Sequence, residues 1–507
     1  MNPRFYCFLA IIFLILSNCL ISAFGQKSAF ATNNVVAHRG AWKTNNLPQN
    51  SIASLKHAIE LKCAGSEFDV RMTEDDSLVI NHDPEYNNLP IEKSSYQNLL
   101  AFKLSNGEKL PTLREYIKAG LANNASTRLI CEIKPSEIGK SRGIIVAEKV
   151  MKVVADLKAK EMFLYISFDY DILKRVIALN PQANTQYLEG DKSPDQLESD
   201  GISGADFHYS VYAEHPVWIS DAKSNNLDLN AWTVNDTEQM DWLLANGFDF
   251  ITTNEPELLL ERTKLSPVSR GWKLAWSDEF NYNGLPDSTK WVYDVGGNGW
   301  GNNELQYYTQ KDTLNAFAGN GCLKIIARKQ QKEDKQYTSA RIVTMGKFKY
   351  GKLEMRAKLP AGKGTWPAFW MLGANAEKAG WPQCGEIDIM EHVGYEKDSI
   401  FGTIHTEVYN HFTGTQKGKA VYIENPYNSF HLFSIEWTPD KIDFMFDNKI
   451  YNHIENEHKT TNEWPFDQDF FVILNLAVGG NWGGKYGVDD SVFPVSYQVD
   501  YVRIFKN

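Results

Sequence analysis

The rhythm of apolar and polar positions changes once along this chain. From about residue 33 to 262, short apolar runs alternate with stretches whose apolar positions recur at helical spacing. The runs predict strands at 35–38, 67–72, 129–133, 163–168, 185–188, 205–209, 229–234 and 248–252. Between the first two, residues 50–61 predict a helix. Asn50 or Ser51 can cap it, and Ile52, Leu55, Ala58 and Ile59 form its apolar face. Eight strands with helices between them predict a TIM-like (β/α)8 barrel. Residues 263–272, containing Ser266-Pro267-Val268-Ser269-Arg270-Gly271, read as a linker. From 273 to 507, Gly, Asn and Asp turns separate alternating strands, and an all-β two-sheet sandwich of jelly-roll type is expected. The molecule is thus read as multidomain, an α/β barrel followed by a β sandwich.

Ahead of both, Arg4 precedes an almost wholly apolar run over residues 5–20. Small residues at Ala23 and Gly25, and again at Ala29 and Ala31, offer cleavage points. Residues 1–31 therefore read as a secretory signal. An exported chain, periplasmic or extracellular, is expected. Leu16-Ser17-Asn18-Cys19 keeps an outer-membrane lipoprotein open as the alternative. Elsewhere no apolar run is long enough to predict a transmembrane span in the mature chain. Cys63, Cys131, Cys322 and Cys384 show no zinc-like spacing and read as structural thiols or at most one bridge per half.

Charge narrows the partners. The 507 residues carry 52 Lys and Arg against 63 Asp and Glu, a formal net charge of −11. No basic face for nucleic acid or an anionic membrane is implied. A monomer is expected. Ten of the fourteen Trp lie at or after Trp272. That excess suits either an aromatic core or a cleft that stacks sugar rings.

At the C-terminal mouth of a barrel, residues at strand ends converge. Here these are His38-Arg39-Gly40, Glu67 and Asp69, His82-Asp83, and Glu132 with Lys134. Carboxylate clusters suit a hard cation such as calcium or magnesium, neutral His suits proton transfer, and Arg with Lys suits phosphate. Alone, each reads as structural; the ordered set is more specific. With Pro48-Gln49-Asn50-Ser51, Trp232-Thr233-Val234-Asn235 and Thr252-Thr253-Asn254-Glu255-Pro256, it resembles the glycerophosphodiester phosphodiesterase family over residues 33–262. The resemblance implies that Glu67, Asp69 and Glu132 hold the divalent cation and that His38 and His82 are the acid/base pair. It further implies that Arg39 and Lys134 bind the phosphate and that Trp232 packs on the glycerol of a glycerophosphodiester. Gln49 and Asn254 stand where that family usually has Glu and Asp. They are expected to lie outside metal binding and proton transfer, though a weakened barrel serving as a binding module stays open.

In the second half, Gly385-Glu386-Ile387-Asp388-Ile389-Met390-Glu391 places Glu386 and Asp388 on one strand face. Glu391 is out of phase unless a β-bulge around Ile389-Met390 restores it. With the bulge, side chains leaning together leave a gap of roughly 5–6 Å, the retaining glycosidase spacing. Glu386 is then the nucleophile and Glu391 the acid/base. Asp388 between them raises the pKa of the acid. The competing reading is an acidic strand that discourages aggregation.

The stretch from about 273 to 507 resembles family 16 glycoside hydrolases of the bacterial laminarinase type. Further matching motifs include Trp276-Ser277-Asp278-Glu279-Phe280, Asn302-Asn303-Glu304-Leu305-Gln306-Tyr307-Tyr308 and Trp366-Pro367-Ala368-Phe369-Trp370-Met371. Trp381-Pro382, His405-Thr406 and the run from Asn475 to Trp482 add to these. The resemblance implies an endo-β-1,3-glucanase acting on β-glucan, with a mixed-linkage glucanase or galactan hydrolase as the alternative. It implies that Trp366, Trp370 and Trp381 line the glycone side, unless they are core. Asn302, Glu304 and His405 would bind hydroxyls, and a structural calcium would lie near Asp500 and Glu279.

Overall fold

The computed structural model describes residues 30–507. The chain divides into two compact units between Ser269 and Arg270. The predicted export segment up to residue 29, including Cys19, lies outside the described residues.

In the first unit all eight predicted strands form, at Val35–Ala37, Gly65–Met72, Arg128–Ile133, Phe163–Ser167, Asn184–Tyr187, Gly204–His208, Asp228–Trp232 and Phe250–Thr253. Neighbours pair in parallel, and Val35–Ala37 pairs with both Gly65–Met72 and Phe250–Thr253, which closes the barrel. A short strand, Leu78–Ile80, turns back antiparallel on the second barrel strand and delivers His82. Val36, Ile130, Leu164 and Phe250 fill the inner layer. The outward residues pack beneath the helices in two clusters. Each fully buried side chain of this size contributes roughly 1.5–3 kcal/mol.

The helix predicted over 50–61 spans Ile52–Glu60 and starts later than expected. Ser51 caps it through a reciprocal box with Ser54. Asn50 stands outside at φ 57°, its carboxamide committed to Asp69. The last helix, Pro256–Leu265, takes up the first three residues of the predicted linker, and Val268–Arg270 forms a 3-10 turn.

The second unit is a two-sheet sandwich. Ten strands form one sheet and seven the other, in the order Trp291–Asp294, Arg341–Thr344, Phe470–Val478, Thr365–Gly373, Glu386–Glu391, Ser399–His405, Lys417–Tyr422. The seven pair antiparallel. Phe369, Met371, Ile387 and Leu474 of this sheet pack against Leu353, Phe433, Ile435 and Ile504 of the other. Alternation along Thr365–Gly373 leaves Trp366 and Trp370 on the opposite, more exposed face. The four described cysteines are free and buried, so no bridge forms within either half.

Candidate active sites

At the barrel mouth the chain turns sharply after Ala37. Arg39 and Gly40 adopt positive φ, and a Cβ at Gly40 would meet Ser54 atoms at 2.4–2.7 Å. This turn aims His38 inward and lets the Arg39 backbone N–H donate to Glu67 Oε2 at 2.8 Å. Asp69 accepts from Asn50 Nδ2 at 2.8 Å and lies 3.6 Å from Arg39 Nε. Lys134 Nζ lies 2.7 Å from Glu132 Oε1 and 3.4 Å from Asp69 Oδ1.

Glu67, Asp69 and Glu132 each offer an oxygen within 4.8 Å of the others, and all three are buried. Glu67 Oε1 and Asp69 Oδ1 are enclosed without a hydrogen-bond partner. Burial and mutual repulsion push Glu132 up to about 7 and Glu67 well above the carboxylate range. Enclosed carboxylates that repel one another and keep free lone pairs fit a hard divalent cation.

His38 stays neutral near pH 7. Burial lowers His38 to about 4, with Arg39 assisting, and burial also lowers His82. His38 Nδ1 meets Asn254 Oδ1 at 2.8 Å, which leaves Nε2 as the basic nitrogen, 4.0 Å from Glu67 Oε2. His82 Nδ1 meets Asp83 Oδ1 at 2.7 Å. Asn254 and Gln49, outside the carboxylate trio as expected, touch its neighbours: Asn254 holds His38, and Gln49 Oε1 accepts from Arg39 Nη1 at 2.8 Å. Adjacent neutral amides therefore steer both residues.

Across the pocket, Trp232 donates from Nε1 to the Asp206 carbonyl at 2.9 Å and meets Phe168 edge-on at 5.4 Å. The pocket holds about 130 Å³ and gathers the predicted His38, Arg39, Glu67, His82, Glu132 and Lys134. Asp69 lies behind them. Sequence reasoning missed two contributors. Asn50 braces Asp69, a role its place in Pro48-Gln49-Asn50-Ser51 could have suggested. Asp206 also lines the pocket at 1% exposure, with no motif around it to mark it.

In the sandwich the bulge forms where predicted. Asp388 pairs with Thr403 and Glu391 with Phe401, so three residue steps oppose two. On the other side Phe369 pairs with Met390 and Trp370 with Asp388, which leaves Ile389 unpaired. Ile387, Ile389 and Met390 all enter the core. Glu386 accepts from Trp381 Nε1 at 3.1 Å, and Glu391 from Trp366 Nε1 at 2.9 Å. His405 Nε2 lies 3.3 Å from Asp388 Oδ2 and 3.8 Å from Glu386 Oε1.

Burial raises all three acids. Asp388 reaches about 8; Glu391 also reaches about 8, with Asp388's charge adding to burial and the Trp366 donor opposing it. Glu386 is pushed up by burial and then by Asp388, against His405 and Trp381. Asp388 and Glu391 therefore retain protons at neutral pH, and the three neighbouring acids titrate as a coupled set. One proton sits ready for donation while indole and imidazole favour the anion at Glu386.

The three predicted tryptophans are spread along the acid strand. Trp381 sits at the Glu386 end beside His411 and the exposed Phe412, Trp370 opposite Asp388, and Trp366 at the Glu391 end against Trp482. Trp370 Nε1 donates to Asn475, which reaches Glu304 through Tyr308. Glu304 is 6% exposed and also accepts from Gln306. Asn302 is half-buried, and its carbonyl receives the Asn481 N–H. Glu279 and Asp500, expected near a structural calcium, each pair with an arginine: Arg503 grips Glu279 through two nitrogens, and Arg356 pairs with Asp500 at 2.7 Å. A guanidinium already neutralises each carboxylate.

A barrel with a carboxylate-lined, basic mouth and a sandwich with a bulged acid strand together define a hydrolase with two sites. Comparison with known proteins bears this out. Residues 300–503 match "Glycosyl hydrolases family 16", and residues 38–258 match "Glycerophosphoryl diester phosphodiesterase family". A third description, "Beta-glucan synthesis-associated protein SKN1/KRE6/Sbg1", matches residues 207–386. The "Beta-glucanase" of Rhodothermus marinus is 52% identical over 46% of this chain and 85% of its own length. The "Glucan endo-1,3-beta-glucosidase" of Cryptopygus antarcticus is 40% identical over 46% of this chain and 91% of its own. A solved laminarinase from R. marinus is 50% identical, covering 46% of this chain and 97% of that one with a TM-score of 0.46. The chain belongs to glycosyl hydrolase family 16 through its C-terminal half, and the N-terminal half carries the match to the glycerophosphoryl diester phosphodiesterase family.

Proposed function

We propose that this is an exported enzyme with two activities: retaining cleavage of internal β-1,3-glucosidic bonds, and cation-assisted hydrolysis of glycerophosphodiesters. The bulged strand that gathers Glu386, Asp388 and Glu391 on one face carries the first reading. Glu386 attacks the anomeric carbon while protonated Glu391 gives its proton to the leaving oxygen. Glu391 then takes a proton from the water that frees the sugar from Glu386. The name of the R. marinus relative supports a β-glucan as substrate, and that of the C. antarcticus relative supports the 1,3 linkage. Assays on laminarin, lichenan and agarose with product analysis test it. Cleavage confined to lichenan or agarose would instead favour the mixed-linkage or galactan reading.

In the barrel, His38 Nε2 takes the proton of the substrate's glycerol hydroxyl as that oxygen attacks phosphorus. His82 in its protonated form, which Asp69 and Asp83 favour, gives a proton to the departing alcohol, and the roles reverse when water opens the cyclic ester. Arg39 and Lys134 face the phosphate oxygens. The cation, calcium or magnesium, would be held by Glu67, Asp69 and Glu132 and would neutralise charge on the phosphoryl oxygens. The presence of both sites on one chain supports a shared substrate, a β-glucan carrying phosphoglycerol. Release of glycerol phosphate from such a glucan tests this, and activity confined to free glycerophosphodiesters would refute it. The apolar segment after Arg4 supports export, which cell fractionation tests.

A further inference from the structure

Asp206 sits on the sixth barrel strand, opposite Glu67 on the second. It lines the phosphodiesterase pocket at 1% exposure, and its Oδ1 has no hydrogen-bond partner. The neighbouring wall is apolar, made by Leu188 on one side and Trp232 on the other, with Ile166 and Phe168 beyond. The Trp232 N–H that could have reached the carboxylate goes to the Asp206 backbone carbonyl instead. Leaving a buried carboxylate oxygen unsatisfied costs about 1–3 kcal/mol or more, so a retained one calls for a partner that arrives from the pocket. Arg39 and Lys134 already supply donors to the phosphate, whereas the Oδ1 lone pairs of Asp206 lack one, so the partner must be able to donate. A hydroxyl group can, and the substrate side that faces away from Arg39 and Lys134 is the glycerol.

We propose that Asp206 is a substrate-binding residue that accepts a hydrogen bond from a glycerol hydroxyl. It would thereby select glycerol-bearing phosphodiesters over those with other alcohols. The inference rests on the phosphodiesterase reading of the barrel and deepens it.

The test compares two substrates on the full-length protein in the presence of calcium or magnesium. Glycerophosphocholine carries both glycerol hydroxyls, whereas 2-hydroxyethyl phosphocholine keeps the attacking hydroxyl and lacks the terminal one. In Asp206→Ala, the ratio of kcat/KM for glycerophosphocholine to that for 2-hydroxyethyl phosphocholine should fall about ten- to hundredfold, mostly through KM. Asp206→Asn keeps the shape and an acceptor oxygen and should recover part of the ratio. It also serves if the alanine variant does not fold. An unchanged ratio, with both substrates slowed alike, would mean a structural role and overturn the proposal. A wild-type protein that cleaves neither substrate would overturn the phosphodiesterase reading, and this inference with it.

Discussion

At the scale of single residues, both sites work by controlling where protons rest. Glu391 is the clearest case. Burial and Asp388 push it up to about 8, and the Trp366 N–H pulls it back. Because Glu391 must be protonated to release the leaving group, glucanase activity should hold through neutral pH and fall as pH rises past about 8. Trp366→Phe removes the donor that stabilises the anion, so the alkaline limb should move to higher pH, which a kcat/KM profile on a soluble β-glucan would read. A limb that stays put or moves down would reassign the acid. Glu386→Gln keeps the Trp381 contact but removes the nucleophilic anion, so glucan cleavage should drop by at least about a thousandfold while glycerophosphodiester hydrolysis is kept. Equal loss of both activities would contradict separate sites. The acids were legible in the sequence because their spacing violates strand alternation. Asn254, Gln49 and Asp206 were not legible in their roles. Their meaning depends on which side chain they face, and that comes from strands distant in sequence.

At the scale of elements, spacing made the strands readable and competition blurred their ends. All eight barrel strands were predictable because parallel strands covered on both sides read as apolar runs. The helix start was misread because Asn50 and Ser51 are both good caps, and tertiary demand from Asp69 took Asn50. The linker was misread at its start because Pro256–Leu265 continues through Thr263, which is buried against the barrel. The placing of the tryptophans was legible only in part. Sequence shows that Trp366 and Trp370 share a face, but only the antiparallel register fixes which acid each one meets. The bulge gives the element-scale prediction. Deleting Met390 leaves Glu386 and Glu391 four positions apart, and a regular strand then keeps both on one face. Such a variant loses a buried Met from the core, which costs about 2–5 kcal/mol, yet should retain measurable glucanase activity at low temperature. Inserting alanine after Asp388 instead puts the two acids six positions apart. With the bulge kept they fall out of phase, and without it they share a face but stand about 20 Å apart at Cα, so activity should be abolished either way. If the deletion were dead while folded by circular dichroism, the bulge itself would be shaping the site beyond setting phase.

At the scale of the whole molecule, two separate hydrophobic cores divide at Ser269 and Arg270, and each carries its own site. Units of this kind should unfold as separate cooperative transitions. The barrel concentrates three buried carboxylates whose repulsion a bound cation relieves, whereas the sandwich's Glu279 and Asp500 are already neutralised by arginines. Removing divalent cations should therefore act on one unit alone. Any ligand that binds only the folded form stabilises it by RT ln(1 + [L]/Kd), about 2.7 kcal/mol at a hundredfold excess over Kd. With EDTA in the calorimeter, the barrel transition should fall by several degrees and the sandwich transition should stay in place. Under the same conditions glycerophosphodiester hydrolysis should stop while laminarin cleavage continues. Glu132→Gln should reproduce the loss of phosphodiesterase activity and should make the barrel transition insensitive to EDTA. If chelation instead moved the sandwich transition, a cation site in that unit would have to lie apart from Glu279 and Asp500. If neither transition moved, Glu67, Asp69 and Glu132 would hold no cation in the resting enzyme, and their crowding would have to be relieved by protons alone.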